Sequence, residues 1–251
     1  MPSYLITGTS RGIGLGLVKE LLKNPENQVL ATARNPDTAQ GLQELRKQYP
    51  DTKRLILLSL DISKPETITK AAEDAEKLLP NGLDVLINNA GIIRHTFATW
   101  DEINTDEFLE ELGLNTTSIL HILRAFKALI AKSAQKKVIV ITSLGGSIEF
   151  AGHAPNYALT YSVSKAALNM LIRRWGKVYK EEESITTILI HPGWVATDMG
   201  LADYEAAQKI FPGASPISVE ESTTGILKLT DEAKLEDSVR YVAYDGTVIP
   251  W

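Results

Sequence analysis

Tyr4-Leu5-Ile6-Thr7-Gly8-Thr9-Ser10-Arg11-Gly12-Ile13-Gly14 is the stretch on which the reading of the fold turns. An apolar run of strand type passes directly into closely spaced glycines, and a helical pattern over Ile13–Leu22 begins at once. Glycines there permit a tight turn and let a diphosphate approach the backbone, where free N–H groups at a helix start attract anions. The glycine spacing differs from the common G-x-G-x-x-G fingerprint. The same residues contain Gly8-x-Ser10-x-Gly12, the nucleophile-elbow pattern, which makes a hydrolase with Ser10 as nucleophile and His191 as base a competitor. That reading is disfavoured because an elbow needs an oxyanion loop from an earlier strand, and Ser10 follows the first.

Outward from this turn, short aliphatic runs alternate with longer amphipathic ones. Strands are expected at Tyr4–Thr7, Gln28–Ala33, Leu55–Ser59, Val85–Asn88, Val138–Thr142 and Thr187–His191. Helices are expected at Ile13–Leu22, Ala39–Tyr49, Pro65–Leu79, Asp106–Lys132, Tyr161–Lys180 and Glu220–Thr230. Ser63 with Glu66, and Ser218 with Glu221, have capping-box spacing, and Pro65 suits a first helical turn. Val138-Ile139-Val140-Ile141 is continuously apolar, as in a strand buried on both faces. The expected fold is therefore α/β: one doubly wound parallel sheet, a Rossmann fold with helices on both faces, over residues 1–251. Met199–Pro216 is the least regular stretch, a substrate lid or a passive connection.

Composition removes several classes of function. With 31 acidic against 26 basic residues the net charge is −5, which gives a nucleic-acid backbone no global attraction. No cysteine is present, so disulfides, Cys-ligated metals and a thiol nucleophile are excluded. His95, His121, His153 and His191 lie far apart, and no metal site is expected. No apolar run approaches membrane-spanning length, so the cytoplasm is the expected compartment.

The remaining signals point to nucleotide and carbonyl chemistry. Where a fold of this kind places an acid to hold the ribose 2′-hydroxyl of NAD, the second strand ends in Arg34, with Asp37 three residues later. Arg34 and Arg11 together could clamp a 2′-phosphate, which favours NADP(H). Asp61 ends the third strand and could accept from an adenine amino group or precede the Ser63 helix. Asn88-Asn89-Ala90-Gly91 offers small residues against which a flat ring can lie. Tyr161 and Lys165, four apart on a helix, share one face, and an ammonium beside a phenol favours phenolate. Ser143 follows the fifth strand at the edge where open parallel sheets bind ligands.

Taken in order, Thr7-Gly8-x-x-x-Gly12-Ile13-Gly14, Leu60-Asp61-Ile62, Asn88-Asn89-Ala90-Gly91, Asn115, Ser143, Tyr161-x-x-x-Lys165 and Pro192-Gly193-Trp194-Val195-Ala196-Thr197-Asp198 resemble the short-chain dehydrogenase/reductase family of classical type. Within it the chain is most similar to C-factor and Sniffer-like carbonyl reductases and to fungal ketoreductases of the norsolorinic acid type, through Pro192–Gly200 and Tyr244–Trp251. The resemblance implies that Tyr161 is the general acid for carbonyl reduction, that Lys165 lowers its pKa and holds the nicotinamide ribose, and that Ser143 orients the carbonyl oxygen. It implies that Asn115 anchors a water leading protons to Lys165. Gly8, Ser10, Arg11, Gly12, Ile13, Gly14, Arg34, Asp61, Ile62, Asn89, Ala90 and Gly91 would hold NADP(H). Pro192, Gly193, Val195 and Thr197 would embrace the nicotinamide amide. A homodimer or homotetramer packed through the long helices is implied, with a small carbonyl or alcohol as substrate. The competing reading is a catalytically silent NADP-binding regulator or scaffold. One departure stands out: 18 positions separate Ser143 from Tyr161, more than is usual in the family, and His153, Pro155 and Asn156 fall in the extra stretch.

Overall fold

Along the first strand Tyr4 and Ile6 point into one apolar cluster and Leu5 into another, as the two-residue period of a strand requires when both faces are covered. A computed structural model describes residues 1–251. In chain order it contains β1 (Ser3–Ile6), α1 (Gly12–Leu22), β2 (Gln28–Ala33), α2 (Gln40–Gln48), β3 (Leu55–Ser59), α3 (Pro65–Leu78), β4 (Val85–Asn88), α4 (Thr105–Leu112), α5 (Ser118–Lys132), β5 (Lys137–Ile141), α6 (Leu159–Glu183), β6 (Thr186–His191), α7 (Asp198–Leu201), α8 (Tyr204–Ile210), α9 (Val219–Glu232) and β7 (Arg240–Ala243). The sheet has seven strands in the order β3-β2-β1-β4-β5-β6-β7. Every pairing is parallel. Leu17 and Leu21 of α1, Leu42 and Leu45 of α2 and Ile226 of α9 fill one side. Ile68 of α3, Phe126 of α5 and Leu168 of α6 fill the other. The expected doubly wound α/β sheet is present.

Parallel strands carry their C-terminal ends to one rim, and the order reverses between β1 and β4, which opens a crevice there. Four features differ from the expectations. The edge strand β7 has no counterpart among the expected strands: it contributes only Arg240–Ala243, too short for a clear alternation. The helix expected over Asp106–Lys132 is interrupted by a π-helical turn at Gly113–Thr117. The Thr117 and Ser118 hydroxyls donate to the carbonyls of Gly113 and Leu114 at 2.9 and 2.6 Å, so side chains satisfy backbone that a wider turn shifts out of register. Ser63 does not cap α3. Its hydroxyl donates to Asp61 Oδ1 at 2.7 Å, and Lys64 holds the cap position with Pro65 in the first turn. Ser218 does cap α9, accepting from Glu221 N. Finally, Met199–Pro216 contains most of α7 and all of α8. This excursion leaves and returns through one pin: Ala196 N donates to Ile217 O and Ile217 N to Trp194 O, at 2.9 and 2.8 Å.

Candidate active site

A cleft of about 880 Å³ runs along the rim at the β1/β4 crevice, a size within the roughly 300–1,000 Å³ of small-molecule and cofactor sites. Its first wall is the glycine turn. Gly8 has φ +71°, and a Cβ there would stand 2.9 Å from Ala90 Cα; a Cβ on Gly14 would stand 2.2 Å from Gly8 O. Both glycines are therefore required for β1, α1 and the loop after β4 to meet. Asn89 locks that junction, its Nδ2 donating to Thr7 O and Gly8 O at 2.9 and 3.1 Å. Thr7 Oγ1 accepts from the N–H groups of Asn89 and Ala90, each at 3.0 Å. The first turn of α1 has no acidic side chain and no side-chain cap, which leaves its positive end suited to an anion.

Gly8, Ser10, Arg11, Gly12, Ile13, Gly14, Arg34, Asp61, Ile62, Asn89, Ala90, Gly91, Tyr161, Lys165, Pro192 and Thr197 line this one cleft. Arg34 is exposed at the end of β2. Arg11 reaches Asp198 Oδ2 at 2.9 Å, so this guanidinium already has an anionic partner. Burial pushes the Asp61 carboxyl up, but the Ser63 hydroxyl and N–H, then Lys64 and Arg34, outweigh it and leave Asp61 lowered. Only its Oδ1 is engaged, which leaves Oδ2 free to accept.

Gly193, Val195, Asn115 and Ser143 stand behind the lining. Gly193, at φ +88°, packs under Ile217 and Tyr244, and Val195 is buried beside Ile217. Asn115 lies in the wide turn between α4 and α5. Its Oδ1 accepts from Ile92 N at 2.9 Å, and its Nδ2 donates to Ile92 O and Ser164 Oγ at 2.8 and 3.0 Å. The asparagine thus clamps the segment after Gly91 and ties it to α6. Cleft residues without a sequence signal include Lys19 of α1 and Arg94 of the loop after β4, which only the fold brings to this rim.

At the inner end, Tyr161 and Lys165 share one face of α6, with Lys165 Nζ 5.6 Å from the phenol ring centroid. Nζ donates to Ile141 O at 3.1 Å and lies beside Gly91. Burial pushes Lys165 down to about 8, opposed by Glu111. Burial also raises Tyr161, against which a hydrogen-bonding contact with Ser143 acts. Desolvation dominates both groups, and the ammonium is directed at a carbonyl, so the net shift of the phenol is upward. Ser143 Oγ accepts from Gly145 N at 3.1 Å, which leaves its proton for another partner. Glu111, fully buried, accepts from Arg94 N at 3.2 Å and Thr160 Oγ1 at 2.5 Å, and fixes the start of α6.

Phe97, Tyr157 and Phe211 form an edge-to-face row with centroids 5.5 Å apart, joining the loops after β4 and β5 to the end of α8. Ser10 is exposed and has no hydrogen bond to His191, whose Nδ1 is buried without a partner, so no nucleophile–base pair forms there. No cluster of three His, Asp or Glu side chains capable of holding a metal ion occurs, and no helix is long and apolar enough to cross a membrane.

A parallel sheet with this order, a glycine turn at its switch point and a Tyr-x-x-x-Lys pair at its inner rim define a dinucleotide-dependent oxidoreductase scaffold. Residues 3–208 match the family model described as short chain dehydrogenase, and the chain belongs to that family. It is 36% identical to an uncharacterised oxidoreductase of Schizosaccharomyces pombe, over 99% of this chain and 97% of that protein. It is 32% identical to a short-chain dehydrogenase of Pyricularia oryzae, over 99% and 98%. Among solved structures, NADPH-bound carbonyl reductase from chicken fatty liver superposes with TM-score 0.86 at 35% identity, covering 100% of this chain and 94% of that one. Carbonyl reductase Sniffer of D. melanogaster superposes with TM-score 0.87 at 30% identity, covering 100% of both chains.

Proposed function

We propose that the chain, acting over residues 1–251 as one catalytic unit, is an NADPH-dependent carbonyl reductase that converts a ketone or aldehyde into an alcohol. The observation that carries this reading is a single cleft joining the glycine turn and Arg34 at one end to Tyr161 and Lys165 at the other. The glycine turn and the open end of α1 suit a diphosphate, and Arg34 with Arg11 suits a 2′-phosphate. Pro192 and Thr197 face the cleft, with Gly193 and Val195 behind them, and would hold the carboxamide end. When bound, the reduced nicotinamide supplies a hydride to the carbonyl carbon.

The protein's own groups handle the proton. Tyr161, raised by burial, remains protonated at neutral pH and serves as general acid toward the carbonyl oxygen. Ser143, whose oxygen accepts from Gly145 N, donates its proton to the same oxygen and orients it. Lys165, charged below about pH 8, stabilises the phenolate left behind, and Asn115 keeps the Ile92 segment against it. The aromatic row of Phe97, Tyr157 and Phe211 bounds the substrate mouth.

Tyr161→Phe tests the assignment. It should lower kcat by at least about 100-fold, in the range of general acid catalysis, while NADPH binding is retained. Full activity would reject the mechanism; a wild-type protein that binds NADPH but oxidises none across a carbonyl panel would favour a silent scaffold instead. We also propose a homodimer or homotetramer packed through Leu109 of α4 and Val163, Met170 and Val178 of α6, apolar side chains that stand exposed. Light scattering that returned a monomer mass would reject it.

A further inference from the structure

The geometry points to Tyr241, on the edge strand β7, as a positioning residue that acts through Ser143 in the reaction proposed above. Its hydroxyl donates to Ser143 O at 2.5 Å across 98 residues of chain. The same carbonyl accepts from Gly146 N at 2.9 Å, so both of its lone pairs are used and the peptide plane that carries the Ser143 side chain is fixed. The remainder of that turn is held by Asn169, which also contacts the Tyr241 side chain: its Nδ2 donates to Gly146 O at 3.0 Å, and its Oδ1 accepts from Thr142 Oγ1 at 2.6 Å. Without Tyr241, Ser143 O keeps only its bond within the turn.

Tyr241 is itself braced. It is only 2% exposed, and the Trp251 ring lies against it with centroids 5.4 Å apart. The Arg173 guanidinium sits 4.4 Å from the Trp251 ring centroid, and Trp251 O accepts from Glu149 N at 3.0 Å. The residues that follow β7 therefore press the phenol toward the turn and hold the start of the long loop between Ser143 and Tyr161. Burial pushes the Tyr241 phenol up to about 12, so it is a permanent donor rather than a group that exchanges protons during turnover. Small displacements of a group that orients the reacting oxygen are costly to rate, and Ser143 is such a group in the mechanism above.

This inference rests on the carbonyl-reductase reading, and the test separates the two. Tyr241→Phe should lower kcat by about tenfold while the KM for NADPH stays within about twofold. In single turnovers at high enzyme concentration, Tyr241→Phe added to Ser143→Ala should cost nothing further. Trp251→Leu, which loosens the brace and leaves the hydroxyl in place, should show the same pattern to a smaller extent. Wild-type kcat in both single variants, or an equal loss with and without the Ser143 hydroxyl, would overturn the role of Tyr241. A wild-type protein that turns over no carbonyl would overturn the underlying reading instead.

Discussion

At the residue scale, His191 carries the clearest consequence of burial without a partner. It ends β6 immediately before Pro192, its Nδ1 has no hydrogen bond, and burial pushes its pKa down to about 4 although Asp245 acts to raise it. The unfolded chain therefore takes up a proton near pH 6.5 that the folded chain refuses until about pH 4, so stability present above pH 6.5 is lost as the pH falls. Between pH 7 and pH 5 the loss attributable to this group is about 2 kcal/mol. Urea denaturation at the two pH values should show it, and His191→Gln, neutral throughout, should reduce the difference. An unchanged pH dependence in that variant would count against the assignment. The same histidine is the base of the elbow alternative suggested by Gly8-x-Ser10-x-Gly12, and a ring at about 4, unpaired with Ser10, does not fit that task.

At the element scale, α6 carries Tyr161 and Lys165 and spans 25 residues. It ends in the left-handed conformation at Ser184, with φ 58° and ψ 37°, and the N–H groups of Ser184 and Ile185 both donate to Tyr179 O. A β-carbon disfavours that conformation, and Ser184 is exposed, so Ser184→Gly should stabilise the protein by about 1 kcal/mol. Thermal unfolding should shift upward by about 2–4 °C; no shift would mean that the cap carries no strain. The helix itself was readable from its pattern, as were six of the seven strands, because each joins an apolar run to a recognisable turn. The wide turn at Gly113–Thr117 was not. An added residue in one turn keeps the apolar pattern almost intact, and only the hydroxyl bonds of Thr117 and Ser118 betray it. Ser63 misled for a related reason: its spacing to Glu66 suits a cap, but a carboxylate two residues back competes for the hydroxyl.

At the scale of the whole molecule, the loops after β1 through β6 deliver residues to one rim. That is why much of the candidate site was legible: the motifs around Gly8, Arg34, Asp61, Asn89, Ser143 and Pro192 directly follow strands, and parallel strands end together, while Asn115 and the Tyr161/Lys165 pair sit on helical segments. Contacts between distant parts of the chain were not legible. Tyr241 meets Ser143, and Glu111 meets Thr160, only because β7 and α4 pack where they do. The cleft makes a global prediction as well. NADPH at about 100 times its Kd should add about 2.7 kcal/mol to the folded state and raise Tm by about 5–10 °C. Arg34→Asp should abolish most of that rise while leaving the smaller effect of NADH nearly unchanged. Equal losses with both cofactors would remove the 2′-phosphate assignment.

The pairing of Arg11 with Asp198 joins the glycine turn to the first residue of α7 across the cleft. Both side chains are about three-quarters exposed, so the link is weak, roughly 0–1 kcal/mol. An incoming phosphate that takes Arg11 would evict a tethered carboxylate rather than strip a bare cation of water, and the start of the Met199–Pro216 excursion would come free in the same exchange. Loading the dinucleotide and loosening the far bank of the cleft would then be one event, with Asp198 as the placeholder that gives way.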